Sequence, residues 1–165
     1  PLEDSLSIDP PERPDSIMTV CRAVFQQDFD LEPIGQDTDG LTHPHEAGMG
    51  WAIAKSKPFH LGGRSIEIQA ARGVGRKLVG FAVEDPSAPV PEECHLLIRG
   101  EDIVGRVTSA TRSPTLNKVV GLAYVATDQA VIGSSIDVRV HGGRIVRGKV
   151  VPVPFYDPEN KRQEM

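Results

Sequence analysis

Ser135-Ile136-Asp137-Val138-Arg139-Val140-His141-Gly142-Gly143-Arg144-Ile145-Val146-Arg147-Gly148-Lys149-Val150-Val151 reads as two strands joined by a glycine turn. Apolar and polar residues alternate on both sides of Gly142-Gly143, the period of a sheet that buries one face. The length of the turn then decides which side chains share that face. A two-residue turn at Gly142-Gly143 would set Arg147 and Lys149 beside Ile136 and Val138 and bury charge. A three-residue loop, Gly142-Gly143-Arg144, keeps both cations outside. It pairs Val140 with Val146, Val138 with Gly148 and Ile136 with Val150, and leaves Asp137 opposite Lys149. The alternation therefore predicts the three-residue loop.

Working outward from this hairpin, similar β-rich segments recur upstream: Lys77 to Val83, His95 to Ile98, Asp102 to Ser109 and Val119 to Val125. Glycine and proline turns separate them, and Pro86, Pro89 and Pro91 fall in a connection where a missing backbone donor does no harm. Short punctuated strands of this kind predict a small antiparallel β-barrel over residues 74–156. Before it, Gly63 to Arg72 reads as a helix closed by Gly73, and Asp39-Gly40 as a turn. Thr42 is a candidate cap for a short helix from Pro44 to Met49, and Trp51 to Ala54 reads as a strand. Ile17 to Phe25 is an apolar run that suits either a short helix or a buried strand. The first sixteen residues hold four prolines and five acidic side chains and read as a linker or frayed terminus. The expected fold class is thus mainly β with an α+β amino-terminal portion, divided as 1–16, 17–73, 74–156 and a tail over 157–165.

Composition limits the function classes. With 39% hydrophobic residues in 165 the chain can bury a core, and a mean hydropathy of −0.23 fits a soluble globular protein. No apolar run approaches a membrane span, and Pro1-Leu2-Glu3-Asp4 is neither basic nor apolar, so a cytoplasmic protein without a membrane partner is expected. Cys21 and Cys94 make no disulfide framework and read as reduced. Pro1 to Glu93 carries 8 basic and 16 acidic residues, whereas Cys94 to Met165 carries 10 basic and 7 acidic ones. That excess of basic charge is far too small for a nucleic-acid footprint.

Most chemistry-bearing patterns fail on spacing. Asp37-Thr38-Asp39-Gly40 starts like a calcium loop, but a glycine at the sixth position and a glutamate at the twelfth are missing, so turn and capping roles are expected for Asp37 and Asp39. Gly73-Val74-Gly75 lacks the third glycine of a dinucleotide fingerprint and leads into a strand where a helix is needed. The histidines at 43, 45, 60, 95 and 141 are scattered, and none has zinc-site spacing with Cys94, so no metal is expected. Ser109, Thr111 and Ser113 sit in no nucleophile elbow, and Ser113-Pro114 reads as a turn out of a strand, which leaves an independent hydrolase without support. Trp51, the sole tryptophan, follows a Gly-x-Gly pair and suits either a core or a flat aromatic ligand.

Four segments carry a resemblance: Gly35 to Gly40, His45 to Trp51, Gly105 to Leu116, and Val153 to Pro158. In this order they resemble the carboxy-terminal part of the tetrahydrofolate-dependent aminomethyltransferases, the glycine cleavage T-protein group, and most of all the matching end of the sarcosine oxidase alpha subunit and dimethylglycine-type oxidases. The resemblance runs from about Gly35 to Met165. It implies a tetrahydrofolate cofactor whose N5 amine takes a one-carbon unit from an aminomethyl or iminium donor. It places Trp51 near the folate cavity, makes Arg22 the counterpart of a folate-holding arginine by ungapped counting back from Gly35, and brings Tyr156 towards the cavity through the returning tail. Around Arg22 this sequence departs from the pattern, with Ala23 in place of an aspartate. No residue matches the family's catalytic aspartate. The implied partner is an upstream folate-binding domain or oxidase subunit, with a non-catalytic β-barrel interaction module as the rival reading; exposure of Trp51 favours the first, and its burial the second.

Overall fold

A computed structural model describes residues 37–53, 56, 57 and 59–156. The apolar run from Ile17 to Phe25, Arg22 and the tail after Tyr156 lie outside the described residues. The barrel strands are β1 (Arg76–Val83), β2 (Leu96–Arg99), β3 (Asp102–Ser113), β4 (Lys118–Ala126), β5 (Ser135–Arg139) and β6 (Ile145–Val151). They close in the order β1-β4-β3-β2-β5-β6 with every pairing antiparallel. Each strand lies within a few residues of its expected place, because alternation and turn residues mark it locally.

The interior is made mostly of β-branched and aromatic side chains that fit a pleated surface, joined by Leu97: Phe81, Leu97, Val107, Val119, Val125 and Val138 are sealed from solvent. In β5 and β6 the alternation is clean, with Ile136, Val138, Val146 and Val150 inside and Arg139, Arg147 and Lys149 outside. β4 differs. From Val119 to Val125 it is buried on both faces, as an unbroken apolar run requires. Gly121 lies where a side chain would strike the Ser109 carbonyl and the Phe81 ring, so its bareness is what lets Phe81 fill the core beside it.

The hairpin register departs from expectation in an instructive way. The three-residue loop is His141-Gly142-Gly143, one position earlier than Gly142-Gly143-Arg144, and the Val140 amide donates to the Arg144 carbonyl at 2.9 Å. Val138 therefore pairs with Val146, Ile136 with Gly148 and Asp137 with Arg147. Asp137 meets the Arg147 guanidinium at 2.9 Å, not Lys149. Both Gly142 and Gly143 take φ of 73°, so the loop is built where two adjacent residues tolerate the left-handed region. The two registers differ by a step of two, so the same residues face inward in both.

A second irregularity governs the outer surface. Val107 pairs with Ala123 and Ser109 with Leu122, so Thr108 is an extra residue, a β-bulge in β3. Val107 points into the barrel, and without the bulge Ser109 would point in as well. The inserted Thr108 reverses the parity and turns Ser109 outward.

Before the barrel, the helix α1 (Gly63–Arg72) ends at Gly73, as expected. The segment ahead of it does not follow expectation. Pro44 to Met49 forms successive turns, with the Met49 amide reaching the Pro44 carbonyl at 2.8 Å, and Met49–Ala52 is a 3-10 helix where a strand from Trp51 was expected. Gly48, at φ 76°, interrupts any helix there after too few residues to sustain one. Thr42 is no helix cap: its hydroxyl accepts the Asp39 amide at 3.1 Å and donates to Asp39 Oδ1 at 2.8 Å, closing a small loop.

Candidate functional site

The residues ahead of the barrel are clasped to its outer face by three acidic side chains. Asp37 is sealed from solvent; its Oδ1 accepts from the outward-turned Ser109 hydroxyl at 3.0 Å, and its carbonyl accepts from the Tyr124 hydroxyl at 2.9 Å. Glu46 Oε2 meets Arg76 Nε at 3.1 Å, and the Glu46 carbonyl accepts the Leu78 amide at 2.7 Å. Arg76 also lies 4.6 Å from the centroid of the Tyr124 ring, so one cation serves a carboxylate and an aromatic face. Asp39 Oδ2 approaches Arg106 at 3.9 Å. The Thr42 hydroxyl bond, the Leu41 amide and the nearby Arg76 charge hold the Asp39 carboxyl below its ordinary range.

Asp39 thus has the turn role its sequence suggests, and Asp37, which also lies in a turn, is in addition a buried anchor. Its partners lie 72 and 87 positions away, and the bulge that presents Ser109 leaves no local mark in the sequence. Glu46, Arg76 and Tyr124 were likewise invisible as a group, because β1 and β4 bring them together only once they pair.

What this clasp holds in place is the 3-10 turn bearing Trp51. The indole is 69% exposed, so it is not a core residue. Close by in sequence, Leu41, Phe59 and Leu61 are also exposed, at 89%, 78% and 91%. An open cleft of roughly 440 Å³ lies in this region, lined by Thr38, Thr42, Met49, Lys57, His60 and Ile66 among others. Neither Trp51 nor Tyr156 lines it. Tyr156 is half-buried at the end of the described chain, just after Phe155, whose ring covers the outer side of Gly80 in β1. The chain after β6 thus lies against the outer side of β1 at Phe155. Trp51 stands on the pre-barrel turn, and Arg22 falls outside the described residues.

A closed six-stranded antiparallel barrel carrying a clasped, aromatic-tipped extension is the class of protein these features define. Residues 76–157 match the glycine cleavage T-protein C-terminal barrel domain. The chain is 37% identical over 137 residues to an aminomethyltransferase of Oceanobacillus iheyensis, covering 82% of this chain and 36% of that protein. It is 38% identical over 121 residues to the aminomethyltransferase of Halothermothrix orenii, covering 73% and 33%. A probable aminomethyltransferase of Pyrococcus horikoshii is 38% identical over 130 residues, covering 79% and 31%. The crystal structure of the glycine cleavage system aminomethyltransferase T from Bartonella henselae shares the fold, with a TM-score of 0.69 over 76% of this chain and 35% of that one at 24% identity. The chain belongs to the glycine cleavage T-protein family and corresponds to its C-terminal part. It spans about a third of the length of the curated relatives it matches.

Proposed function

We propose that this chain supplies one wall of a tetrahydrofolate site in an aminomethyltransferase, for transfer of a one-carbon unit from an aminomethyl or iminium donor. The observation that carries the reading is Trp51, an exposed indole on a turn that Glu46, Arg76 and the Leu78 amide tie to the barrel. A flat ring presented to solvent on a tethered turn suits stacking against a pterin or aminobenzoyl ring. Tetrahydrofolate would supply the N5 amine that accepts the one-carbon unit. The contribution of these residues is to bind and orient it and to keep water from one side of the ring. Arg22 and Tyr156 are the further proposed contacts. General acid or base assistance belongs, in this reading, to an aspartate of an upstream domain or subunit.

The proposed division has residues 17–73 as part of the folate-binding unit and 74–156 as the barrel. The exposed Leu41, Phe59 and Leu61 support a partner surface in the first of these, since large apolar side chains clustered within a short segment mark contact sites. The likeness of the quoted segments to the sarcosine oxidase alpha subunit supports a sarcosine or dimethylglycine type of donor. A cytoplasmic setting completes the reading, with the free Cys94 in keeping.

The test is fluorescence. With a matching upstream fragment bound, tetrahydrofolate should quench Trp51, and Trp51→Phe should weaken binding by about 0.5–1.5 kcal/mol, the worth of an aromatic pair. Unchanged fluorescence at saturating tetrahydrofolate, in a complex shown to have formed, would transfer the case to a non-catalytic interaction module.

A further inference from the structure

The two loops that carry Glu92, His95 and His141 meet at the surface of the barrel. Glu92 and His95 lie between β1 and β2, and His141 opens the β5–β6 loop. One ligand atom from each of the three lies within 4.8 Å of the others. His141 Nε2 is 3.1 Å from Glu92 Oε2, and the two imidazoles pack edge to face with centroids 4.7 Å apart and planes at 80°. We propose that Glu92, His95 and His141 form a binding site for one divalent cation of the zinc type.

Three features separate this cluster from a surface ion pair. The donor set is two imidazoles and one carboxylate, a nitrogen-rich combination that suits zinc and not the oxygen-seeking calcium or magnesium, and it leaves a fourth position for water. The groups come from loops 49 positions apart, and the two left-handed glycines after His141 fix the path of its loop. The third feature is His95 itself. Its Nδ1 accepts the Glu92 amide at 2.9 Å, so the neutral ring carries its proton on Nε2, where the nitrogen is buried and has no hydrogen-bond partner. A cation would give that buried nitrogen a partner once its proton moves to Nδ1, at the expense of the bond from the Glu92 amide.

On uptake His141 binds through Nε2 with its remaining proton on Nδ1, a position a neutral ring reaches by a tautomer shift and a charged ring by losing its Nε2 proton. His95 shifts its proton from Nε2 to Nδ1, which gives up the hydrogen bond from the Glu92 amide. Both imidazoles bind as neutral ligands, and a His141 ring that was charged beforehand releases one proton to solvent. Cys94 is adjacent in sequence, exposed, and held at φ 66°, yet it is not a member of the cluster. That separation allows a sharp test.

Zn²⁺ is titrated calorimetrically into the 165-residue chain and into His141→Ala, Glu92→Gln and Cys94→Ser, with Co²⁺ absorption as a second readout of coordination. The wild type and Cys94→Ser should bind one equivalent equally, while His141→Ala and Glu92→Gln lose at least about tenfold in affinity, the least expected when a site loses a group that shapes it. His141 and Glu92 are 78% and 67% exposed, so both variants should keep the wild-type circular dichroism melt, and His141→Gln replaces His141→Ala if that one does not. No uptake by the wild type, loss of binding in Cys94→Ser, or less than a tenfold loss in the cluster variants would overturn the proposal.

Discussion

Replacing Gly121 by alanine should loosen the barrel where β3 and β4 pair. A Cβ at this position would strike the Ser109 carbonyl and stand 2.8 Å from both the Ala110 Cβ and the Phe81 ring. Gly121 has no positive φ, so alanine is acceptable to the backbone there and the cost is purely steric. Overpacking a dense core costs typically about 1–3 kcal/mol. Against it stands the stabilisation of roughly 0.4–1 kcal/mol that glycine-to-alanine changes give by restricting the unfolded chain. A backbone carbonyl cannot rotate aside as a side chain can, so the upper part of the steric range applies, and a net loss of about 1–2 kcal/mol is expected. Gly75 provides the control: it also lacks a positive φ, and a Cβ there meets nothing within 4 Å. Gly75→Ala should therefore raise stability by up to about 1 kcal/mol. Urea denaturation of both variants beside the wild type reads the two signs directly. A Gly121→Ala protein as stable as Gly75→Ala would refute the reasoning.

Tyr124→Phe removes the hydroxyl that holds the Asp37 carbonyl at 2.9 Å; a loss of about 1 kcal/mol is expected, and faster amide exchange over residues 37–47 would tie it to the clasp, whereas an unchanged exchange pattern would count against it. Acid should destabilise the fold from about pH 5 downwards, because the carboxyls of Asp39, Glu84, Asp85 and Asp128 are all depressed in the folded chain, chiefly by hydrogen bonds from Thr42, Lys118, Ser87 and Arg99 respectively. A depressed carboxyl contributes fully above its unfolded value and its contribution disappears as pH falls through the folded one, so melting temperature should drop with acidification and Asp128→Asn should flatten that slope. The 165 residues alone should show no tetrahydrofolate-dependent turnover of sarcosine, dimethylglycine or an aminomethyl-lipoyl donor, since loss of acid or base assistance by itself costs about 10²–10⁴ in rate; methylenetetrahydrofolate formed above a no-protein control would contradict this.

The strands were legible because each advertises itself within its own few residues, by alternation in β5 and β6 and by an unbroken apolar run in β4. Register was legible only to its parity. Pairing Val138 with Gly148 or with Val146 buries the same face, and the choice fell to the loop backbone at Gly142 and Gly143. The stretch from Pro44 to Ala52 was misread because its shape comes from Gly48 and from the bonds of Glu46 to Arg76 and Leu78, about thirty residues on. Trp51 could be singled out as the sole tryptophan, but its exposure depends on that same distant clasp. Glu92, His95 and His141 went unpaired in the sequence for a related reason: only barrel closure through β2 and β5 brings their loops side by side.

Closure of the barrel also governs how anything else can attach to it. With β6 hydrogen-bonded to β1, the sheet offers no free edge along which another strand could zip. Among the described residues the pre-barrel segment accordingly holds on through contacts that include Asp37, Asp39, Glu46 and the Leu78 amide, and the three acidic side chains are separately mutable. An attachment made by a continuous ladder would yield all at once. This one can be released a rivet at a time, which makes the tilt of the Trp51 turn adjustable by single substitutions while the barrel beneath keeps its shape.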